Sequence, residues 1–341
     1  MPNIQCGGFI GQVWAVLARS VLALGIALGL AGCSVQAGTQ VAARSQGERV
    51  VRIGYQKTGE IIRLQGKLQK RLAAVGAKVE WAEFTAGPPL LEALSAGGLD
   101  FGATGDTPPI FAQAAGAPLV YVAATEPSPR GRAILVHKSS HIRTVRDLRG
   151  KKVAVQKASG AHYLLVQVLE RAGLHWSDIK PVYLAPAEAR VAFASHSVDA
   201  WAIWDPFYAV AEEQPDVRVL IDGEGITTQG SRYLASRDFA LRNPDLLRVV
   251  LDEYRQVNRW IDEHPHEAAL LAARSQGLPV STLERTFRRR REALVPLDAH
   301  FVSEQQKVAD TFWRLKLLPR PVNIREALLD SKQYAASAGS P

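Results

Sequence analysis

Asp199-Ala200-Trp201-Ala202-Ile203-Trp204-Asp205-Pro206-Phe207 is the stretch whose reading decides the fold. An apolar run from Ala200 to Trp204 meets an acid, a proline and two aromatics, Phe207 and Tyr208, in immediate succession. Such a run is a short buried strand that stops at Asp205, with Pro206 suited to the first position of a new helix. Open α/β sheets bind ligands where the end of a strand feeds a helix, so Trp204 and Asp205 become cleft candidates. The competing reading makes the tryptophans core and Asp205 an N-cap; Trp201 is assigned to the core.

The same grammar recurs upstream. Val50 to Tyr55 is a strand broken by Gln56-Lys57-Thr58-Gly59, and a helix follows with Ile61, Leu64, Leu68 and Leu72 on one face. Lys78 to Phe84 ends at Thr85-Ala86-Gly87-Pro88-Pro89, and Leu99 to Ala103 ends at Thr104-Gly105-Asp106-Thr107-Pro108-Pro109. Three strands, each closed by a Gly- and Thr-bearing turn that opens a helix, make a βαβ series with a parallel sheet. After strands at 119–124 and 133–137 the series restarts with Lys152 to Val155 and the turn Gln156-Lys157-Ala158-Ser159-Gly160-Ala161-His162. From Asn243 onward only helical spacing remains, over 244–264, 267–277, 280–294 and 303–315, with prolines as punctuation.

The chain has 341 residues, enough for two cores, and a formal charge of +8. Its basic residues are scattered. The densest run, Arg288 to Arg291, falls in a helical pattern and reads as a solvated face, and no nucleic-acid signature accompanies it. At the amino end, Arg19 precedes an apolar run from Val21 to Leu30 and then Leu30-Ala31-Gly32-Cys33. That is an export signal, too short to remain as a membrane span. An ordinary signal peptide cut near Ala37 or Ala42 is the other reading. The only cysteines, Cys6 and Cys33, lie in this leader, so the mature chain carries no thiol for a disulfide, a metal or catalysis. Residues 33–48 read as a flexible tether and 331–341 as a tail.

No G-x-S-x-G elbow, H-E-x-x-H, P-loop or G-x-G-x-x-G after a strand is present, and the histidines are scattered. A binding site suits this inventory better than a reactive one. Ser159, Gly160, Ala161 and His162 open a helix, where backbone N–H groups, the Ser159 hydroxyl and the helix dipole receive an anion. The Gly87 and Thr104-Gly105-Asp106 turns offer the same from another lobe. Trp204, Phe207 and Tyr55 supply apolar walls and Gln56 an amide donor; Gly230, closing the loop from Asp222, completes the set. Backbone amides rather than a buried arginine suit a singly charged, strongly acidic oxyanion. No cofactor and no metal is expected.

Arg52-Ile53-Gly54-Tyr55-Gln56-Lys57, Ala86-Gly87-Pro88, the run from Thr104 to Ala117, Asp147 to Ala154 and Asp199 to Pro206 together carry a resemblance to the aliphatic sulfonate-binding proteins of ABC importers. Leu30-Ala31-Gly32-Cys33 likewise resembles the lipobox of bacterial lipoproteins, which implies lipidation of Cys33 and residues 1–32 as its signal peptide. The family resemblance implies an α/β, two-lobed periplasmic-binding fold of type II, each lobe a mostly parallel sheet flanked by helices, with a C-terminal helical extension. Lobe I would comprise residues 49–136 and 232–330, and lobe II residues 137–231. It implies capture of an alkanesulfonate, delivery to a permease and its ATPase, no catalysis, and a periplasmic or cell-surface location; a monomer is expected. One departure is visible: the loop before the second-lobe helix is serine-rich in the family, whereas here Ser159 stands among Ala158, Gly160 and Ala161. Alternatives are taurine, a sulfate ester, an aromatic sulfonate or nitrate on the same fold, and, from another class, an enzyme resembling the thiamine-pyrimidine synthases.

Overall fold

The first sheet in the computed structural model begins with β1 (Arg49–Tyr55), β2 (Ala77–Glu83), β3 (Phe101–Thr104) and β4 (Leu119–Thr125). Between these strands lie α1 (Ile61–Gln65), α2 (Lys67–Ala73), α3 (Gly87–Ser95) and α4 (Pro108–Ala114). A second sheet takes β5 (Arg132–His137), β6 (Lys152–Val155), β7 (Lys180–Tyr183), β8 (Ala200–Trp204) and β9 (Val217–Asp222), interleaved with α5 (Gly160–Arg171), α6 (Pro186–Ala194) and α7 (Phe207–Glu212). The chain then returns through β10 (Arg232–Ser236) to α8 (Arg237–Arg242), α9 (Pro244–Glu263), α10 (Pro265–Gln276), α11 (Val280–Arg288), β11 (Leu294–Val295) and α12 (Ala299–Arg314). Residues 49–228 and 230–329 are described. The expected signal peptide, tether, lipidated Cys33 and tail lie outside them.

Strand order is β11-β4-β10-β3-β1-β2 in the first sheet and β7-β6-β8-β5-β9 in the second. The pairs β2-β1-β3 and β7-β6-β8 are parallel, as helical crossovers require, whereas β10, β11, β5 and β9 enter antiparallel. Both sheets are therefore mixed rather than mostly parallel. The returning strands are joined by loops or come back from a distant part of the chain, and such connections impose no common direction.

Three local expectations are corrected. Residues 132–136 were placed in lobe I, yet β5 pairs with β8 and β9 in the second sheet. Ala133 and Leu135 pack into one core and Ile134 and Val136 into another, so β5 is apolar on both faces and takes a central position between two strands. The helix expected over 280–294 ends at Arg288, and Leu294-Val295 instead pairs with Thr125 and Ala124 of β4. Pro206 stands at the N-cap of α7, following a cis Asp205–Pro206 bond, rather than at the first helical position.

Alternation decides what β8 buries. Trp201 and Ile203 join Phe193 of α6 and Tyr208 of α7, while Ala200 and Ala202 lie under Leu164, Leu165 and Val168 of α5. In the first sheet Ile53 and Phe101 pack on α9 through Leu247 and Tyr254, and the opposite face packs on α3 and α12. The late helices thus cover the first sheet rather than extend from it.

Helix α3 seats on the β1-β3 ribbon because both strands carry glycine under Leu90. A Cβ on Gly102 would lie 2.6 Å from Leu90 Cδ2, and one on Gly54 would lie 2.5 Å from Leu99 Cδ1. Gly102→Val should overpack this contact and destabilise the protein by about 1–3 kcal/mol, read as a lower urea midpoint with an unchanged slope. A variant as stable as the parent would show that α3 is not seated there.

Candidate functional site

One cavity of about 130 Å³ lies between the two sheets. Gln56, Gly87, Thr104 and Gly105 reach its wall from the first sheet, and Ser159, Gly160, Ala161, Trp204 and Asp205 from the second. Gly230 and Tyr55 also line it. Most of the expected set is therefore brought together, from turns at the carboxyl ends of β1, β3 and β8 and the turns opening α3 and α5.

The donors are concentrated at the start of α5. Ser159 is its N-cap, and its hydroxyl oxygen accepts the His162 N–H at 3.2 Å, which leaves the hydroxyl proton free to donate. Gly160 and Ala161 contribute the next two N–H groups, which have no acceptor among the described residues, at the positive end of a twelve-residue helix. Helix α3 offers less. Pro88 and Pro89 follow Gly87, so Gly87 supplies the one N–H of that first turn. Thr104 donates its hydroxyl to the Gly105 carbonyl at 2.9 Å, and Gln56 donates to the Ala103 carbonyl at 3.2 Å.

Three expected contacts, His162, Asp106 and Phe207, do not reach the cavity. His162 is fully buried against Trp176, Tyr183 and Phe312, its Nδ1 accepts the Ala158 N–H, and burial pushes its imidazole down to about 3. A neutral imidazole facing away supplies neither charge nor donor to an anion. Asp106 is also fully buried: its carboxylate accepts the Thr107 hydroxyl at 2.7 Å and Arg132 Nη1 at 2.8 Å, and Gln305 of α12 donates to its carbonyl at 2.5 Å. Phe207 stands edge-on behind Trp204, 6.2 Å between centroids, and is absent from the wall.

Arg132 was missed. It sits at the first position of β5, 8% exposed, lines the cavity, and donates to the Gly160 carbonyl at 3.2 Å as well as to Asp106. A buried arginine, which the sequence reading did not place here, thus stands on the wall. Its charge is taken up by Asp106, so the cavity gains a bridge between sheets rather than a free cation. Cutting one partner from a pair this buried costs about 3–5 kcal/mol. A Cβ on Gly160 would lie 2.6 Å from Arg132 Nη1 and 3.1 Å from Asp106 Oδ1, so any other residue would have to push against this ion pair.

The arginine run is likewise not one solvated face. Helix α11 ends at Arg288, which stays exposed on Glu284, and the turn sends its neighbours inward. Arg289 grips both Glu212 oxygens at 2.6 and 2.8 Å, reaches Asp205 Oδ1 at 3.4 Å and covers the Tyr208 ring. Arg285 adds Glu212 and Glu213, so α11 is clamped to α7 across the cleft. Arg290 lines the cavity paired to Glu292.

The family model described as NMT1/THI5 like matches residues 74–268. A protein of Escherichia coli named for binding aliphatic sulfonates is 44% identical over 313 residues, covering 90% of this chain and 97% of that relative. Among solved structures, the alkanesulfonate-binding protein SsuA from Xanthomonas axonopodis pv. citri bound to MOPS has a TM-score of 0.78 at 42% identity, covering 82% of this chain and 98% of that one. The periplasmic aliphatic sulphonate binding protein SsuA from Escherichia coli has a TM-score of 0.74 at 43% identity, covering 83% and 92%. The chain belongs to the NMT1/THI5-like family and, within it, to the aliphatic sulfonate-binding proteins of ABC importers. Among the described residues no helix is long and apolar enough to cross a membrane.

Asp205 generates a pH prediction. Burial pushes its carboxyl up to about 7, against the pull of Arg289 and the Ala209 N–H. The folded state therefore holds this proton more tightly than the unfolded chain, whose carboxyl titrates near 4. Its contribution is fully present below about pH 4 and is lost as pH rises through 7, on the order of a few kcal/mol in total. Asp205→Asn should flatten the fall in thermal stability between pH 4 and 7 relative to the parent. Parallel curves would show that Asp205 titrates normally.

Proposed function

We propose that this chain is the extracytoplasmic substrate-binding component of an ABC importer, that it captures aliphatic sulfonates between its two sheets, and that it hands them to a permease driven by an ATPase. The observation that carries the reading is the start of α5, where two N–H groups and the Ser159 hydroxyl face a cavity whose arginines are already paired. A sulfonate has three oxygens and one delocalised charge that stays ionised across the physiological range. It accepts from several neutral donors and requires no counter-cation. Trp204 and Tyr55 provide apolar wall for an alkyl tail. Gln56, Gly87, Thr104, Gly105 and Gly230 are further ligand contacts in this reading. Catalysis has no part in it.

Glu292 on the wall is paired with Arg290, and Asp205 is buried with its carboxyl pushed up to about 7, so neither offers an ammonium group an exposed, fully ionised partner. That favours plain alkanesulfonates over taurine. Calorimetry of the purified chain should give heat with ethane- and butanesulfonate and much less with taurine, nitrate or sulfate. Heat with nitrate and none with any sulfonate would overturn the ligand class. Ser159→Ala should weaken every sulfonate about tenfold, the value of one hydrogen bond to a charged group. Trp204→Ala should weaken butanesulfonate more than methanesulfonate, since each methylene buried on the ring is worth about 0.8 kcal/mol. Equal losses would place the tail elsewhere.

Export and lipid anchoring at Cys33 belong to the same proposal. They rest on the leader sequence and suit a monomeric receptor held beside its permease. Cells fed a labelled fatty acid should label the parent chain and not Cys33→Ala; labelling of both would reject the anchor.

A further inference from the structure

We propose that His137, His196 and Asp216 form a binding site for a divalent transition cation, separate from the cleft. The ligand atoms of these three residues lie within 4.8 Å of one another. They come from three segments of the second sheet's layer: the last residue of β5, the turn after α6 and the turn before β9. Arg132, on the cleft, is the first residue of the same β5, so the cluster lies about 17 Å away along the strand.

The surroundings of the buried His137 ring suit a cation. Its Nε2 is 2.8 Å from the Phe193 carbonyl, which only accepts, so the ring proton resides on Nε2. Its Nδ1 then presents a lone pair to Asp216 Oδ2 at 3.0 Å, and an ionised carboxylate also only accepts. Two acceptors face each other beside a ring that is 4% exposed. A metal cation between them satisfies both atoms, as a proton on Nδ1 also would, and a third ligand distinguishes the two. Imidazole nitrogen and carboxylate oxygen bound to zinc at about 2.0–2.2 Å in a tetrahedron stand about 3.3 Å apart, close to the separation present. The Phe193 carbonyl on the other ring nitrogen is the usual orienting partner of a metal-binding histidine.

His196 brings the third ligand. Its ring lies 3.9 Å from that of His137 between centroids, and its backbone has φ of 57°, the left-handed conformation in which a helix end ordinarily carries glycine. The Ser197 N–H to Ala192 carbonyl bond closes the turn. A histidine held there costs about 1–2 kcal/mol over glycine, and what it adds is an imidazole above His137. Two imidazoles and one carboxylate with a fourth position open to solvent favour zinc over calcium or magnesium, whose ligands are oxygens.

The test titrates zinc chloride into the EDTA-stripped full chain and follows it by calorimetry and thermal melting. The parent should bind one zinc that is lost on mutating this cluster, and its Tm should rise by at least about 3 °C at a hundredfold excess over Kd. His196→Gly removes the imidazole and relieves the left-handed backbone, so its metal-free Tm should equal or exceed the parent's while zinc affinity falls at least tenfold. Asp216→Asn should weaken zinc comparably. Zinc affinity unchanged in both variants, or no binding by the parent at 100-fold excess of zinc over protein, would overturn the site.

Discussion

The ion pair between Asp106 and Arg132 is the constraint on which the cleft depends. It joins the turn after β3 to the first residue of β5, at 2.8 Å and almost without exposure on either side. Gln305 of α12 fixes the Asp106 backbone from behind and also receives Arg232. The network is satisfied at nearly every atom, as a buried polar cluster must be to avoid losing more to desolvation than it gains from attraction. Its second effect is steric. Arg132 lies against Gly160 so closely that a Cβ there would press on the ion pair, and this contact sets the first turn of α5 on the cavity.

Pairing its own charges leaves the cavity with a mild field. Arg132 is matched by Asp106 and Arg290 by Glu292, and what remains directed at the cavity is the positive end of α5, worth about half a charge. Such a field suits a monoanion. A dianion would enter with about four times the Born desolvation cost, which grows with the square of the charge, and no additional cation to meet it. The clamp of Arg285 and Arg289 on Glu212 and Glu213 serves a different end, since it holds α11 to α7.

What local pattern could carry was legible in the chain. Apolar runs closed by Gly, Thr and Pro marked β1, β3, β6 and β8, and the turns after them are the segments that line the cavity. Ser159, Gly160 and Ala161 were readable because an N-cap and its two successors are neighbours in sequence. Arg132 was not, because its meaning depends on Asp106, 26 residues away and in another sheet. One signal was present: a charged residue directly before the apolar run Ala133 to Val136, in a strand buried on both faces, has to find a partner. His162 failed for the converse reason. It shares the N-terminal turn with residues that line the cavity, but its own ring packs against Trp176 and Phe312. Arg289 and Arg290 were misassigned since helical spacing was carried past Arg288, where the helix ends.

A crystal structure with butanesulfonate bound is the most direct measurement. The geometry predicts sulfonate oxygens within about 3 Å of the Gly160 and Ala161 nitrogens and the Ser159 hydroxyl, the tail against Trp204, and the Asp106–Arg132 pair intact. A sulfonate paired directly with Arg132 or Arg290, with Asp106 or Glu292 displaced, would contradict it.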